Sequence, residues 1–202
     1  LPFTAGRRLE HVLFDEGRSD YQIQVADDAS ESEKWAASEL QHWLGEVGRA
    51  PLAVQTNHTD PKSDKVILVG WSRRAQKLLG PCVQPPKDED ESFTYRSVGS
   101  AVVIWGGKQR GTLYGVMSFL ERELGVRFYT PQVTVAPKKA RYAFTWLNHS
   151  EKPGVRVRND FYYEAFEPIW AARNRVNGAM GYRKQPGGLE AYWSVHTFYP
   201  LM

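Results

Sequence analysis

The sequence predicts an α/β domain in which helices pack on a mixed β-sheet, followed by a shorter aromatic-rich segment. Three observations predict it. Strand, helix and strand patterns succeed one another over residues 20–56. The continuous apolar run Val66-Ile67-Leu68-Val69 suits a strand buried on both faces. Two further strand-like runs joined by Gly99-Ser100 lead into a long apolar-striped helix.

Taken in order, Tyr21, Ile23 and Val25 alternate with Gln22 and Gln24, the period of a half-buried strand. Ser30 stands three residues before Glu33, a capping box. Ala36, Leu40, Trp43, Leu44 and Val47 then recur at helical spacing until Gly48. Leu52 and Val54 resume a strand after Pro51, and a crossover of this length suits parallel pairing. A short basic helix is expected over 72–79. A loop with three prolines and the run Lys87-Asp88-Glu89-Asp90-Glu91 follows, and that run reads as a solvated surface. Residues 93–98 and 101–105 form the hairpin. Leu113, Met117, Leu120 and Leu124 make the stripe of the helix that starts near Arg110 and stops at Gly125. The domain closes near Trp146, and Asn148, His149, Ser150 and Pro153-Gly154 read as a linker, giving domains of 1–150 and 151–202.

Composition narrows the function classes. Lys and Arg number 26 against 23 Asp and Glu, a net +3, and basic residues never run beyond adjacent pairs, which argues against a nucleic-acid footprint. The longest apolar run, Val66 to Trp71, is far short of the roughly 20 residues a membrane helix needs, so no membrane span is expected. The single Cys82 can form neither an internal disulfide nor a cysteine-based zinc site. A start at Leu1 fits a chain whose signal peptide has been removed. Aromatic residues set the tail apart, with 10 in residues 151–202 against 16 in the first 150.

Two places could carry chemistry. Gly106-Gly107-Lys108-Gln109-Arg110-Gly111 opens a helix, where amides and a lysine attract phosphate. It fits neither dinucleotide nor P-loop spacing, and close crossing of helix and hairpin is the favoured reading. In the tail, Arg158, Asp160, Tyr162 and Glu164 fall on one face of a predicted strand. Strand chemistry leaves two readings open: an internal ion pair of Arg158 with Asp160 or Glu164, or the lining of a polar ligand site. Pro168 begins a helix through Val176, stopped by Asn177-Gly178. His196 lies in a second strand-like run, 192–199, where a packed core histidine is the default reading.

Two stretches resemble a known family. The run Tyr21 to Ser30 with the helix Trp35 to Leu40, and Arg110-Gly111-Thr112-Leu113-Tyr114-Gly115 through Gly125-Val126-Arg127-Phe128-Tyr129, resemble the N-terminal α/β accessory domain of glycoside hydrolases. The nearest types are bacterial α-glucuronidases and β-hexosaminidases. The tail, from Arg158-Asn159-Asp160-Phe161-Tyr162-Tyr163-Glu164 through Trp170 to Gly178 and His196-Thr197-Phe198-Tyr199, resembles secreted bacterial proteins in which this domain precedes an α-glucuronidase-like (β/α)-barrel. The resemblance implies that 155–178 is the first strand and helix of such a barrel. Arg158, Tyr163, Glu164 and His196 become candidate substrate-binding residues, because barrel active sites gather at strand C-termini. A barrel takes about 250 residues, so the 52 in the tail imply an incomplete one. The paired carboxylates of glycoside hydrolysis come from later strands in these relatives, so no catalytic residue is assigned here. The expectations are a secreted or periplasmic, carbohydrate-active parent protein, with no cofactor and no metal. The alternatives are a non-catalytic carbohydrate-binding protein, or a module that self-associates through an exposed barrel segment.

Overall fold

The computed structural model describes residues 9–56, 64–160, 162–178 and 185–190. A six-stranded sheet forms its centre. Strands β2 (Gln22–Val25), β3 (Val54–Thr56), β4 (Val66–Val69) and β6 (Ala101–Gly106) run parallel, in the spatial order β6-β4-β2-β3. On the other side of β6, β5 (Phe93–Val98) and then β10 (Asn148–Glu151) continue the sheet antiparallel. The mixed sheet and the Gly99-Ser100 hairpin are as the sequence predicts.

Both faces of the parallel part are covered. Helices α1 (Glu31–Gly48) and α3 (Gly111–Phe119) pack on one face, where Ile23, Ile67, Val69 and Ile104 meet Leu40, Leu44, Leu113 and Met117. The short helix α2 (Arg73–Leu79) covers the other face through Ala75 over Val66, Leu68 and Val103. Alternate residues of β4 therefore enter different cores, which is why all four are apolar. Covering by α2 also corrects the half-buried reading of β2: Gln24 is buried and its side-chain oxygen accepts from Arg74 Nη1 at 3.3 Å.

The capping box forms as expected. Glu33 N donates to Ser30 Oγ at 3.1 Å, and Ser30 N donates to Glu33 Oε2 at 2.9 Å. Gly48 remains helical, packed beneath the Phe14 ring, and Arg49 takes the left-handed cap that the sequence suggested for the glycine.

Helix α3 ends in one π-helical turn, Leu120–Leu124, in which the Gly125 amide returns to the Leu120 carbonyl. This turn sends Glu121 and Glu123 in separate directions. Glu123 accepts the hydroxyls of Tyr95 and Tyr142, each at 2.8 Å, and burial drives both phenol pKa values well above the usual range. Two small antiparallel pairs escape the periodicity reading: β1 (His11–Asp15) with β9 (Arg141–Phe144), and β7 (Arg127–Phe128) with β8 (Thr134–Val135).

Beyond the sheet the tail departs from expectation. Residues 148–151, read as linker, are β10 itself. Where a strand was expected from Val155, residues 155–160 are irregular chain, and a 3-10 turn, Tyr163–Phe166, and then helix α4 (Pro168–Arg173) come after. Among the described residues no sheet strand pairs with 155–160; Asn177 and Gly178 supply bonds instead. Asn177 Oδ1 accepts from Arg158 N at 2.7 Å, while the Asn177 and Gly178 amides both donate to the Arg158 carbonyl. Helix α4 begins at Pro168 with Glu167 as its cap, as predicted for its start, but stops at Arg173. The expected strand at 192–199 lies outside the described residues.

The turn between β6 and α3 shows why its glycines are needed. A Cβ on Gly107 would lie 2.2 Å from the Asp90 carbonyl oxygen and 2.5 Å from that of Lys87. The 87–91 loop is thus pressed against the turn, backbone to backbone. Gly107→Ala is expected to cost about 3 kcal/mol, read as a lower urea midpoint with an unchanged slope.

Candidate functional site

The charged run 87–91 was expected to be a solvated surface, but its last residue is the centre of a buried network. Asp88 and Asp90 carbonyls accept from the Gln109 and Gly107 amides, which seats the loop on the start of α3. Glu91 then faces Arg110, whose side chain is 3% exposed. Arg110 Nε lies 2.5 Å from Glu91 Oε1, and its Nη2 lies 2.6 Å from Glu190 Oε2. Arg158 Nη2 reaches Glu91 Oε2 at 2.7 Å, and Arg156 reaches Glu190 Oε1 at 2.5 Å. Arg156, Glu190, Arg110, Glu91 and Arg158 therefore alternate in sign along one ladder. Arg156 foremost, and Arg110, hold the Glu190 carboxyl below the ordinary carboxylate range.

Neutral partners complete the ladder. Asn177, fully buried, donates to Glu91 Oε1 at 2.7 Å and to the Arg156 carbonyl at 2.8 Å. Arg158 lies over the Tyr114 ring and donates to its hydroxyl at 3.2 Å. Burial pushes the Tyr114 phenol up to about 12, so it stays protonated at neutral pH. A cleft of about 310 Å³ opens beside the ladder, between Glu89 and Asp90 on one side and Lys152, Pro153 and Val155 on the other.

Further along, the tail repeats the device. Arg173 meets Glu39 through two nitrogens, at 2.8 and 3.0 Å, with its guanidinium against the Trp43 and Phe128 rings. Arg175 pairs with Glu121 at 2.6 Å, and Trp170 Nε1 donates to the Phe128 carbonyl at 3.1 Å. Four tail arginines are thus bound up with carboxylates, three of those carboxylates belonging to the α/β layer.

These contacts redistribute the predicted site residues. Arg158 is an anchor of the tail, paired with Glu91 rather than with Asp160 or Glu164. Tyr163 is 85% exposed and Tyr162 73% exposed on the 3-10 turn, with Glu164 between Tyr163 and the buried Ala165. The structure does not bring Tyr163 or Glu164 to Arg158, and His196 lies outside the described residues. The phosphate reading of the 106–111 turn is also resolved: Thr112 and the Glu33 carboxylate lie at the start of α3, with Thr112 Oγ1 3.3 Å from Glu33 Oε1. Among the described residues no three His, Cys, Asp or Glu side chains form a metal-ligating group, and no helix is long and apolar enough to cross a membrane.

No protein-family model matches the chain, and no curated protein does. Solved structures do. A family GH115 4-O-methyl-α-glucuronidase with specificity for decorated arabinogalactans superposes with a TM-score of 0.59 at 17% identity, over 84% of this chain and 25% of that one. The fold is glycoside-hydrolase-like. The GH20 β-N-acetylhexosaminidase of Streptomyces coelicolor A3(2) gives a TM-score of 0.47 at 16% identity, over 74% of this chain and 25% of its own. The N-acetyl-β-hexosaminidase of Streptomyces plicatus gives 0.49 at 14% identity, over 84% and 30%. The chain spans about a quarter of the length of the glucuronidase.

Within this glycoside-hydrolase-like fold, sequence reasoning missed Glu39, Glu91, Arg110, Glu121 and Asn177. Glu91 closes a charged run and Asn177 stands in a helix-stop pair, so each carries a stronger local signal that masks its buried role. The four arginines set among apolar residues in 156–175 were the available hint. Glu91→Gln would leave Arg158 without a carboxylate and weaken Arg110. It is expected to cost about 3 kcal/mol and to open the 155–178 segment to trypsin before the α/β layer unfolds.

Proposed function

We propose that this chain is the accessory α/β domain, with the opening segment of a barrel, of a carbohydrate-active enzyme of glycoside hydrolase type. The observation that carries the reading is the extent of the glucuronidase match. It covers 84% of the chain, whereas residues 1–150 are about three quarters of it, so the match takes in part of the tail as well. The second support is the arginine ladder, which ties Arg158 and Glu190 of the tail to Glu91 and Arg110 of the α/β layer. On this reading residues 1–150 buttress the barrel and 151–202 begin it.

The chemistry available agrees with a supporting role. Hydrolysis of a glycoside needs two carboxyls held at a set separation, one as acid and one as base or nucleophile. Glu39, Glu91, Glu121 and Glu190 are all paired with arginines, and Arg156 and Arg110 hold the Glu190 carboxyl below the ordinary carboxylate range. The saccharide-facing residues in this proposal are Tyr163, Glu164 and His196. An exposed tyrosine offers a sugar both a stacking face and a hydroxyl. Arg158 acts behind Tyr163 and Glu164 as the residue that holds the chain leading to them. The parent protein is proposed to work outside the cytoplasm, on a polysaccharide.

Purified chain is expected to release no product from aryl glucuronides or aryl hexosaminides, and turnover that follows the protein through a second purification would overturn the accessory-domain reading. In the protein extended by its downstream reading frame, Tyr163→Ala is expected to lower kcat/KM on the saccharide about tenfold. Full activity in that variant would remove Tyr163 from the site. A binding-only parent is favoured by the same exposed tyrosines, and it is distinguished by saccharide affinity without product.

A further inference from the structure

The C-terminal ends of parallel strands are where open α/β sheets take ligands, at the point where successive connections leave in opposite directions. Here β2 leads through α1 to β3 on one side, and β4 leads through α2 toward β5 and β6 on the other. The crevice between β2 and β4 is filled by the protein's own Glu33. Its residue is 1% exposed, and a Cβ on Gly70, at the end of β4, would lie 2.5 Å from its Oε1. Gly70 has φ +89°, so both backbone and space hold that position to glycine.

The hydrogen-bond partners of the carboxyl are neutral. Ser30 N donates to Oε2 at 2.9 Å, and Thr112 Oγ1 lies 3.3 Å from Oε1. The nearby ammonium, Lys108, is committed to Asp28 at 2.6 Å and feels Asp88 as well. From the elements packed around Glu33, the groups that face it are therefore the Ser30 amide and hydroxyl of the cap, the Gly70 backbone, and Thr112 and Lys108 of the β6–α3 turn. Desolvation of the buried charge raises the Glu33 pKa above the ordinary carboxylate range, against the lowering by Ser30, Lys108 and Thr112.

Thr112 makes the site two-state. Its hydroxyl accepts from the Gly106 amide at 3.1 Å and lies 3.1 Å from the Gly106 carbonyl, as well as 3.3 Å from Glu33. A hydroxyl has one proton to give and two lone pairs to fill. With Glu33 ionised, the single proton must choose between the Gly106 carbonyl and the carboxylate. With Glu33 protonated, the acid donates to Thr112, Thr112 donates to the Gly106 carbonyl, and the Gly106 amide fills the remaining lone pair.

We propose that Glu33, Thr112 and Gly106 form a proton-operated switch that tightens the β6–α3 turn under acid conditions. The proton comes from solvent and rests on the Glu33 carboxyl, and no heavy-atom bond is made or broken. The turn carries Lys108 and Arg110, so the switch acts on the segment from which the arginine ladder starts.

The sign of the effect follows from the direction of the shift. A carboxyl whose folded pKa is raised contributes stability that is complete below its unfolded value, about 4.3, and is lost as pH rises through the folded value. Asp20, Asp28, Glu46, Asp90 and Glu190 are shifted downward and act in the opposite sense, losing stability only as pH falls through their lowered values. Between these windows the protein is expected to melt higher at about pH 5 than at about pH 8. Glu33→Gln should abolish that difference. A carbon-13 titration of the unmodified chain serves as the second measurement, in case the variant does not fold. It should show the Glu33 carboxyl titrating above the ordinary range, with the Gly106 amide shift following the same curve. A melting temperature independent of pH across that window, a pH dependence that persists in Glu33→Gln, or a Gly106 amide that ignores the Glu33 titration would each overturn the switch.

Discussion

A guanidinium taken out of water must be met by charge on more than one side, and Arg110 imposes that condition on the whole molecule. Its partners come from distant parts of the sequence: Glu91 ends the loop before β5, and Glu190 lies 80 residues beyond Arg110. Neither could stand alone against the desolvation cost of the arginine. The pairing requires the 87–91 loop to be seated on the β6–α3 turn, which in turn requires glycine at 107. It also requires the tail to return over α3, which brings Arg158 onto Tyr114. A mixed sheet with one apolar strand buried on both faces provides the rigid support for these demands.

The tail shows how polar residues can specify a docking geometry that apolar burial would leave loose. Ala165, Ala171 and Ala172 are the buried apolar side chains of 163–173, and alanine contributes little area. Direction is supplied instead by planar forks: Arg173 on Glu39 between two aromatic rings, Arg175 on Glu121, Arg158 on Glu91. A guanidinium that must satisfy both a carboxylate and a ring face tolerates little rotation. The exposed tyrosines of the 3-10 turn are therefore presented by a segment whose orientation is set from behind.

What could be read from the sequence was what local periodicity records. The capping box at Ser30 and Glu33, the apolar β4, the Gly99-Ser100 hairpin and the helix from Arg110 each carry their signal within a few adjacent residues. The elements that escaped are two to five residues long or pair over great separations: β1 finds β9 about 130 residues later, and β10 reads as linker because Asn, His and Ser suit an exposed sheet edge as well as a loop. The alternation at 155–164 suggested a strand, yet alternation specifies a strand only if a neighbour supplies the ladder. Here Asn177 takes the place of that neighbour. The family resemblance of 110–129 pointed to the glycoside-hydrolase-like fold, whereas the role of Arg158 depended on Glu91, which no local pattern marks.

The π-helical turn at the end of α3 has a consequence for how this chain tolerates insertion and deletion. In a regular α-helix each residue advances by about 100° around the axis, and the wider turn accommodates one residue more than a regular turn would. Glu121 points to Arg175 in the tail while Glu123 points to Tyr95 and Tyr142 in the layer beneath. Loss of a single residue between Leu120 and Leu124 would be absorbed by regular winding, whereas regular winding of all five residues would swing every later side chain around the axis. The carboxylate shared by the two tyrosines would be carried away from them. The irregular turn thus acts as a phase adjuster: it lets one helix serve two partners whose angular positions a uniform helix could not reconcile.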